Sequence, residues 1–264
     1  MEQPRGAAFF DLDKTLIEGS SAIHFGRAAY KAGVVSRRQI LSDLWANVEY
    51  RLRGSTDEGT EELRARILEA IEGQRVVDLA RLSPQILSTL LPRVYPEMLR
   101  IAYSHQDAGR PAFIVTAASQ EIADLLAHVL VFDGGIGMRS EIRDGVYTGR
   151  LDGPHTYREG KAEAIRQVAE ERGIDLSESY AYSDSESDLP MLRGVGHPVA
   201  VNPDPELERI ARQEGWHVIR FDKLGRRLKI AAGLAGLALV GAGGGYAAAR
   251  VRPAPRWRRW PILA

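Results

Sequence analysis

The chain has 264 residues, 44% hydrophobic and 27% charged, an ordinary globular composition with length enough for one large domain or two smaller ones. Its 35 lysines and arginines balance its 35 aspartates and glutamates, so no overall field draws in nucleic acid. Cysteine is absent, which excludes disulfides, thiolate metal sites and thiol nucleophiles.

The amino terminus is polar, without the pattern of a signal peptide, and leads into the apolar run Ala7 to Phe10. Such a run predicts a strand buried on both faces, and it ends in Asp11-Leu12-Asp13-Lys14-Thr15. Two acids two residues apart beside a hydroxyl can seat a divalent cation and a phosphate where the strand leaves the sheet. Standing alone, the segment is more often a strand followed by a polar turn.

From Ile17 to about Leu91 the pattern is helical. Ile23, Arg27 and Tyr30, then Ile40, Leu41, Leu44, Trp45, Val48 and Leu52 recur at spacings of three and four. Ser36 and Thr56 suit helix starts, and Gly33, Gly54 and Gly73 helix stops. Because this helical insert follows the first strand directly, it is expected to stand over that strand's carboxyl edge as a cap.

From Tyr95 the texture becomes α/β. A helix to about Ala108 precedes the apolar Ala112 to Val115, and Thr116 to Ser119 reads as a turn capping the next helix. Met138 to Leu151, centred on Asp144-Gly145, predicts a β-hairpin. A helix from Gly160-Lys161 to Arg172, a brief strand Ser179 to Tyr182 and a strand Pro198 to Val201 follow. The pattern closes with a helix from Pro205 to Gln213 and a strand Trp216 to Arg220. Strands alternating with helices imply a doubly wound, mostly parallel sheet, so the fold class is α/β. There is no repeat, P-loop or dinucleotide fingerprint in this body. His105, His128, His155 and His197 show no metal spacing and read as surface or hairpin residues.

Ile230 to Ala249 is a run of twenty uncharged residues, long enough to span a bilayer, although six are glycine and only five are Ile, Leu or Val. Arg226, Arg227 and Lys229 precede it, and five arginines with Trp257 and Trp260 follow, as suits a membrane interface. The expectation is a cytoplasmic body with a membrane-associating tail, with a flexible or partner-bound tail as the alternative.

The strand ends deliver Asp11, Asp13, Thr116, Asp184 and Asp188 to one edge of the sheet, with Lys161 at a helix start. Taken singly, Thr116 is equally a plain helix cap and Lys161 more often a solvated charge. Together they form an inventory for phosphoryl transfer. Asp11-Leu12-Asp13-Lys14-Thr15, Val115-Thr116-Ala117, Lys161 and Ser183-Asp184-Ser185-Glu186-Ser187-Asp188-Leu189-Pro190-Met191-Leu192 resemble the four motifs of haloacid dehalogenase-like (HAD) hydrolases. The likeness is to the phosphoserine-phosphatase-like branch and spans roughly residues 7 to 221.

The resemblance implies a magnesium-dependent phosphomonoesterase with Asp11 as nucleophile and Asp13 as general acid and base. It implies metal held by the Asp11 and Asp184 carboxylates and the Asp13 carbonyl, with Thr116, the Ala117 amide and Lys161 on the phosphoryl group. Asp188 would orient Lys161 or a metal-bound water, and Thr15 would support the first motif. Two departures stand out: Ser183 replaces the branch's usual glycine, and the glutamate that holds the amino group of phosphoserine falls on Ser20, with Glu18 two residues earlier. Arg51 and Arg53 are further candidate substrate contacts. The domains expected are a core of residues 1–16 and 93–222, a cap of 17–92 and a tail of 223–264. The partner expected is a small phosphorylated metabolite. A phosphotransferase of the same fold and a non-catalytic, membrane-recruited regulatory protein are the competing readings.

Overall fold

The computed structural model describes residues 6–31, 65, 68–153 and 156–221. All but the last of these lie in one compact unit, Met1–Arg220. The candidate span 230–249, Arg51, Arg53, His155 and residues 32–64 of the expected cap lie outside the described residues. Among the described residues no helix is long and apolar enough to cross a membrane.

Six strands form a parallel sheet: β1 (Ala8–Asp11), β2 (Ala112–Ser119), β3 (Gly134–Met138), β6 (Tyr180–Ser183), β7 (His197–Val201) and β8 (His217–Ile219). Their order is β3-β2-β1-β6-β7-β8. The central strand β1 is buried throughout, which is why it reads as a continuous apolar run and not as an alternation. It pairs with β2 on one side and β6 on the other, so the winding of the chain reverses at β1. A doubly wound sheet opens its binding crevice at such a switch point.

Neighbouring residues of β1 serve opposite faces. Phe9 stacks on Phe113 at 5.6 Å between ring centroids, in a core with Ile165, Met191, Leu192 and Leu207. Phe10 stacks on Tyr182 at 4.5 Å and meets Phe132 edge-on at 5.6 Å.

The helices obey their local signals. α8 (Pro205–Gln213) has the Asp204 side chain accepting the Leu207 amide at 2.8 Å, proline in its first turn and Arg212 in its last. α6 (Glu159–Arg172) stops at Gly173 in the left-handed conformation. The small hairpin β4 (Ser140–Arg143) and β5 (Val146–Leu151) turns at Asp144 and Gly145, both with positive φ.

Helical residues are inserted between β1 and β2. They include α1 (Ser21–Lys31), α2 (Val76–Ala80) and α3 (Ser83–Leu90). The outgoing and returning chains lie side by side: the Glu18 amide donates to the Arg93 carbonyl at 2.8 Å and the Tyr95 amide to the Leu16 carbonyl at 2.9 Å. Farther out, Gly73 and Val76 donate to the Tyr147 and Gly145 carbonyls, and the Tyr147 amide donates to Gln74, so the insert also docks along β5. The returning chain then enters α4 (Pro96–Asp107) and the sheet.

Two expectations are corrected and one strand is added. Thr116 to Ser119 is not a capping turn: β2 runs through Ser119, which precedes α5 (Gln120–Val129) without a side-chain cap bond. The hairpin expected over Met138 to Leu151 forms as β4 and β5, but a strand that was not expected, β3, precedes it and pairs in parallel with β2. That strand reads Gly-Gly-Ile-Gly-Met because α5 lies too close for side chains; a Cβ on Gly137 would meet the Gln120 Cα at 2.8 Å.

His105, finally, is buried and not a surface residue. Its Nδ1 accepts from Arg110 Nε at 2.9 Å, which leaves the proton on Nε2 for Tyr182 Oη at 2.7 Å. Burial, aided by the Arg110 charge, lowers its pKa to about 4. A histidine whose folded pKa lies below its unfolded value contributes stability above about pH 6.5 and loses it as pH falls toward 4. Urea unfolding should therefore show the parent losing about 1 kcal/mol from this source near pH 5, solvent screening allowed for. His105→Gln, which can still accept and donate, should lack that component; parallel pH profiles for the two proteins would refute it.

Candidate active site

The sheet register explains why distant residues meet. Asp11 is level with Val115 on β2, and Phe10 with Tyr182 on β6, so Asp11, Thr116 and Asp184 leave the sheet at the same edge. Lys161, in the first turn of α6, projects into this group. Its Nζ donates to Asp11 Oδ1 at 2.6 Å and to Asp188 Oδ2 at 2.8 Å. Asp11, Lys161, Asp184 and Asp188 are each 6% exposed or less, so this is an interior polar cluster and not a surface ion pair. The reading of Lys161 as a solvated helix charge is thereby excluded.

Burial dominates the electrostatics. It pushes Asp11 up to about 8, against the pull of the Lys161 ammonium, and the charges of Asp188 and Asp184 add to the rise. It raises Asp184 to about 6, with Lys14 opposing. Burial alone would lower Lys161, but Asp11 and Asp188 outweigh it and hold the side chain as an ammonium. Three buried carboxylates thus share one buried cation, a cluster short of positive charge.

That shortage is the test of whether a metal fits. Among the described residues no group of three or more histidine or acidic side chains is arranged to enclose an ion. The predicted set needs fewer: two carboxylates, Asp11 and Asp184, and one backbone carbonyl, all hard oxygen donors of the kind magnesium takes. Donor chemistry and charge deficit both fit a divalent cation.

Asp13 sits where the strand opens to the insert. Its Oδ1 accepts the Ser21 amide, at the start of α1, at 2.6 Å, and burial raises its pKa against that bond. Thr116 is buried, and its hydroxyl accepts the Ala118 amide at 3.1 Å, leaving its own proton to donate elsewhere. Ala117 is exposed beside it, where the β2–β3 pairing is irregular. Thr15 is fully buried, and its hydroxyl has no hydrogen-bond partner among the described residues. Of the candidate substrate contacts, Ser20 is half-buried and Glu18 exposed.

Three participants escaped the sequence reading. Ser183, where the motif usually has glycine, donates to Asp188 Oδ2 at 2.6 Å, the oxygen that also holds Lys161. Asp204, the cap of α8, also accepts the Glu186 amide at 2.9 Å and donates its own amide to the Asp184 carbonyl, bracing the acidic loop. The Ser21 amide carried no signal, since a backbone donor has no residue type.

A profile of the family described as haloacid dehalogenase-like hydrolase matches residues 8–193. The chain is 37% identical over 244 residues to phosphoserine phosphatase SerB1 of Mycobacterium tuberculosis, covering 92% of this chain and 79% of that one. It is 31% identical over 230 residues to a histidinol-phosphatase of Neisseria meningitidis, covering 82% and 99%. A crystal structure of a Bordetella pertussis protein of unknown function superposes with a TM-score of 0.73 at 30% identity, over 82% of this chain and 99% of that one.

Proposed function

Because the chain belongs to the haloacid dehalogenase-like hydrolases, in their phosphoserine-phosphatase-like branch, and is a phosphatase, we propose that it hydrolyses a small phosphorylated metabolite through an aspartyl-phosphate on Asp11. One observation carries this reading: the Lys161 ammonium bridging Asp11 and Asp188 inside the sheet's switch-point crevice. A lysine buried on a carboxylate is costly in a core and useful beside a transferring phosphoryl group.

Asp11 attacks phosphorus, and the bond to the ester oxygen breaks as Asp13 gives its proton to the leaving alkoxide. Asp13 then takes a proton from water, which attacks the same phosphorus and releases phosphate and Asp11. Burial suits Asp13 to this task by keeping a proton on it at higher pH than a free carboxyl would, and the Ser21 amide fixes its direction. Thr116 and the Ala117 amide donate to the phosphoryl oxygens, while Lys161, steadied by Asp188, balances their charge. Magnesium, held by Asp11, Asp184 and the Asp13 carbonyl, would supply Lewis-acid charge neutralisation between the anionic nucleophile and its anionic target.

Two relatives are named for phosphoserine and histidinol phosphate, both phosphate esters of amino alcohols, so these head the substrate panel. The tail is proposed to bring the activity to a lipid surface, a reading supported by its composition alone. Full-length protein should release phosphate from p-nitrophenyl phosphate with magnesium, undiminished when acceptor alcohols are left out. It should sediment with anionic vesicles, and a chain cut before Ile230 should not. Turnover that needs an acceptor would make the protein a phosphotransferase; no turnover on any ester would favour a regulatory role.

A further inference from the structure

Lys161 satisfies the inner side of the acidic cluster; a second lysine stands on the outer side. Lys14, within the first motif, reaches Asp184 Oδ2 with its Nζ at 3.5 Å. The two ends of this pair differ sharply: the Lys14 side chain is 66% exposed and that of Asp184 only 9%. The ammonium therefore covers the carboxylate from the solvent and can leave it for water at little cost, unlike Lys161, which is enclosed.

The backbone points the same way. Lys14 has φ of +60°, the left-handed region where a side chain is strained and glycine is at ease. The turn imposes this, since the Lys14 amide donates to the Gly19 carbonyl at 3.1 Å. A long cationic side chain at a position whose backbone favours glycine is an outlier that calls for a function. Its ammonium is placed on an oxygen of Asp184, whereas Asp188, the other acid of this loop that meets a lysine, is already held by Lys161.

We propose that Lys14 is a built-in competitor for the divalent cation: its ammonium must give up Asp184 before that carboxylate can ligate metal, so Lys14 sets the metal concentration at which the site loads. The inference rests on the reading of Asp184 as a metal ligand given above. Its consequence is a phosphatase whose metal affinity is held below what its oxygen donors alone would give, and whose loading depends on ionic strength because an exposed ammonium is readily screened.

Magnesium titration of the full-length protein by calorimetry, without substrate, tests this. Lys14→Gln, which keeps the side-chain length but not the charge, should bind magnesium about two- to fivefold more tightly than the parent, the upper part of the range expected of a largely exposed ion pair. Lys14→Arg should bind as the parent does, and added salt should narrow the gap between parent and Lys14→Gln. Asp184→Asn guards the premise, since it should lose binding if the metal reading holds. If Asp184→Asn bound as well as the parent, that reading would fail and the competition with it. If Asp184→Asn lost binding but Lys14→Gln matched the parent or bound more weakly, the inference about Lys14 alone would be overturned. Melting curves without metal establish that each variant is folded.

Discussion

Asp11→Asn is expected to lower kcat by at least about 10⁴-fold while leaving the protein as stable as its parent or more so. The amide keeps an oxygen for the Lys161 ammonium, which Asp11 Oδ1 now accepts at 2.6 Å, but it has no carboxylate to attack phosphorus. The stability half of the expectation follows from the sign of the pKa shift. Asp11 rises from an ordinary 3.8 to about 8 because burial penalises its charge. An acid raised in this way contributes most to stability below pH 4, and that contribution is lost as pH rises through its folded value. Asparagine carries no such burden. The melting temperature of the variant should therefore exceed the parent's by a margin that grows from about pH 4 to about pH 8. Magnesium should stabilise the parent more than the variant, which keeps Asp184 and the Asp13 carbonyl but loses the Asp11 carboxylate. A variant that turned over at the parental rate would move the nucleophile elsewhere; one that melted below the parent at pH 8 would contradict the charge argument.

How much of this was legible depended on whether the signal lay in residue type or in backbone geometry. β1 and its two acids were readable because a fully buried parallel strand is apolar along its whole length and an acid at its end has no packing reason to be there. The helix at Pro205–Gln213 was readable because proline, acidic first turn and basic last turn all agree. β3 was not, since close approach of α5 has stripped it of the side chains by which strands are recognised. His105 reads as a surface or hairpin residue in sequence; only the fold brings it against Tyr182, 77 positions away. At the site, Asp11, Asp13, Lys161, Asp184 and Asp188 could be picked out as a set because their spacing is chemical, whereas the hydroxyl of Ser183 was taken for a departure from pattern. Its bond to Asp188 Oδ2 makes it part of the cluster. Lys14 was passed over because a lone lysine after two acids looks like ordinary charge balance.

The same cluster gives the opposite result when its cation is removed. Lys161→Met keeps the volume but leaves Asp11 and Asp188, 6% and 2% exposed, facing one another with the Ser183 hydroxyl as the remaining close donor on Asp188 Oδ2. Breaking a buried ion pair from one side costs about 3–5 kcal/mol, because the stranded charge cannot reach water. The loss should be largest at alkaline pH and shrink on acidification, since both carboxyls can then take up protons in place of the ammonium. Phosphatase activity should fall by about 10²–10³-fold in kcat/KM with the loss of one preorganised donor to the phosphoryl group. A second change, Asp11→Asn on the Lys161→Met background, should recover part of the stability and none of the activity, so the two substitutions should be far from additive in unfolding. Urea denaturation of the four proteins at two pH values reads this coupling directly. A surface lysine on a helix would change stability by no more than about 0.5 kcal/mol. A result in that range would mean that Lys161 does not hold the carboxylates together, and the chemistry built on their convergence would have to be given up.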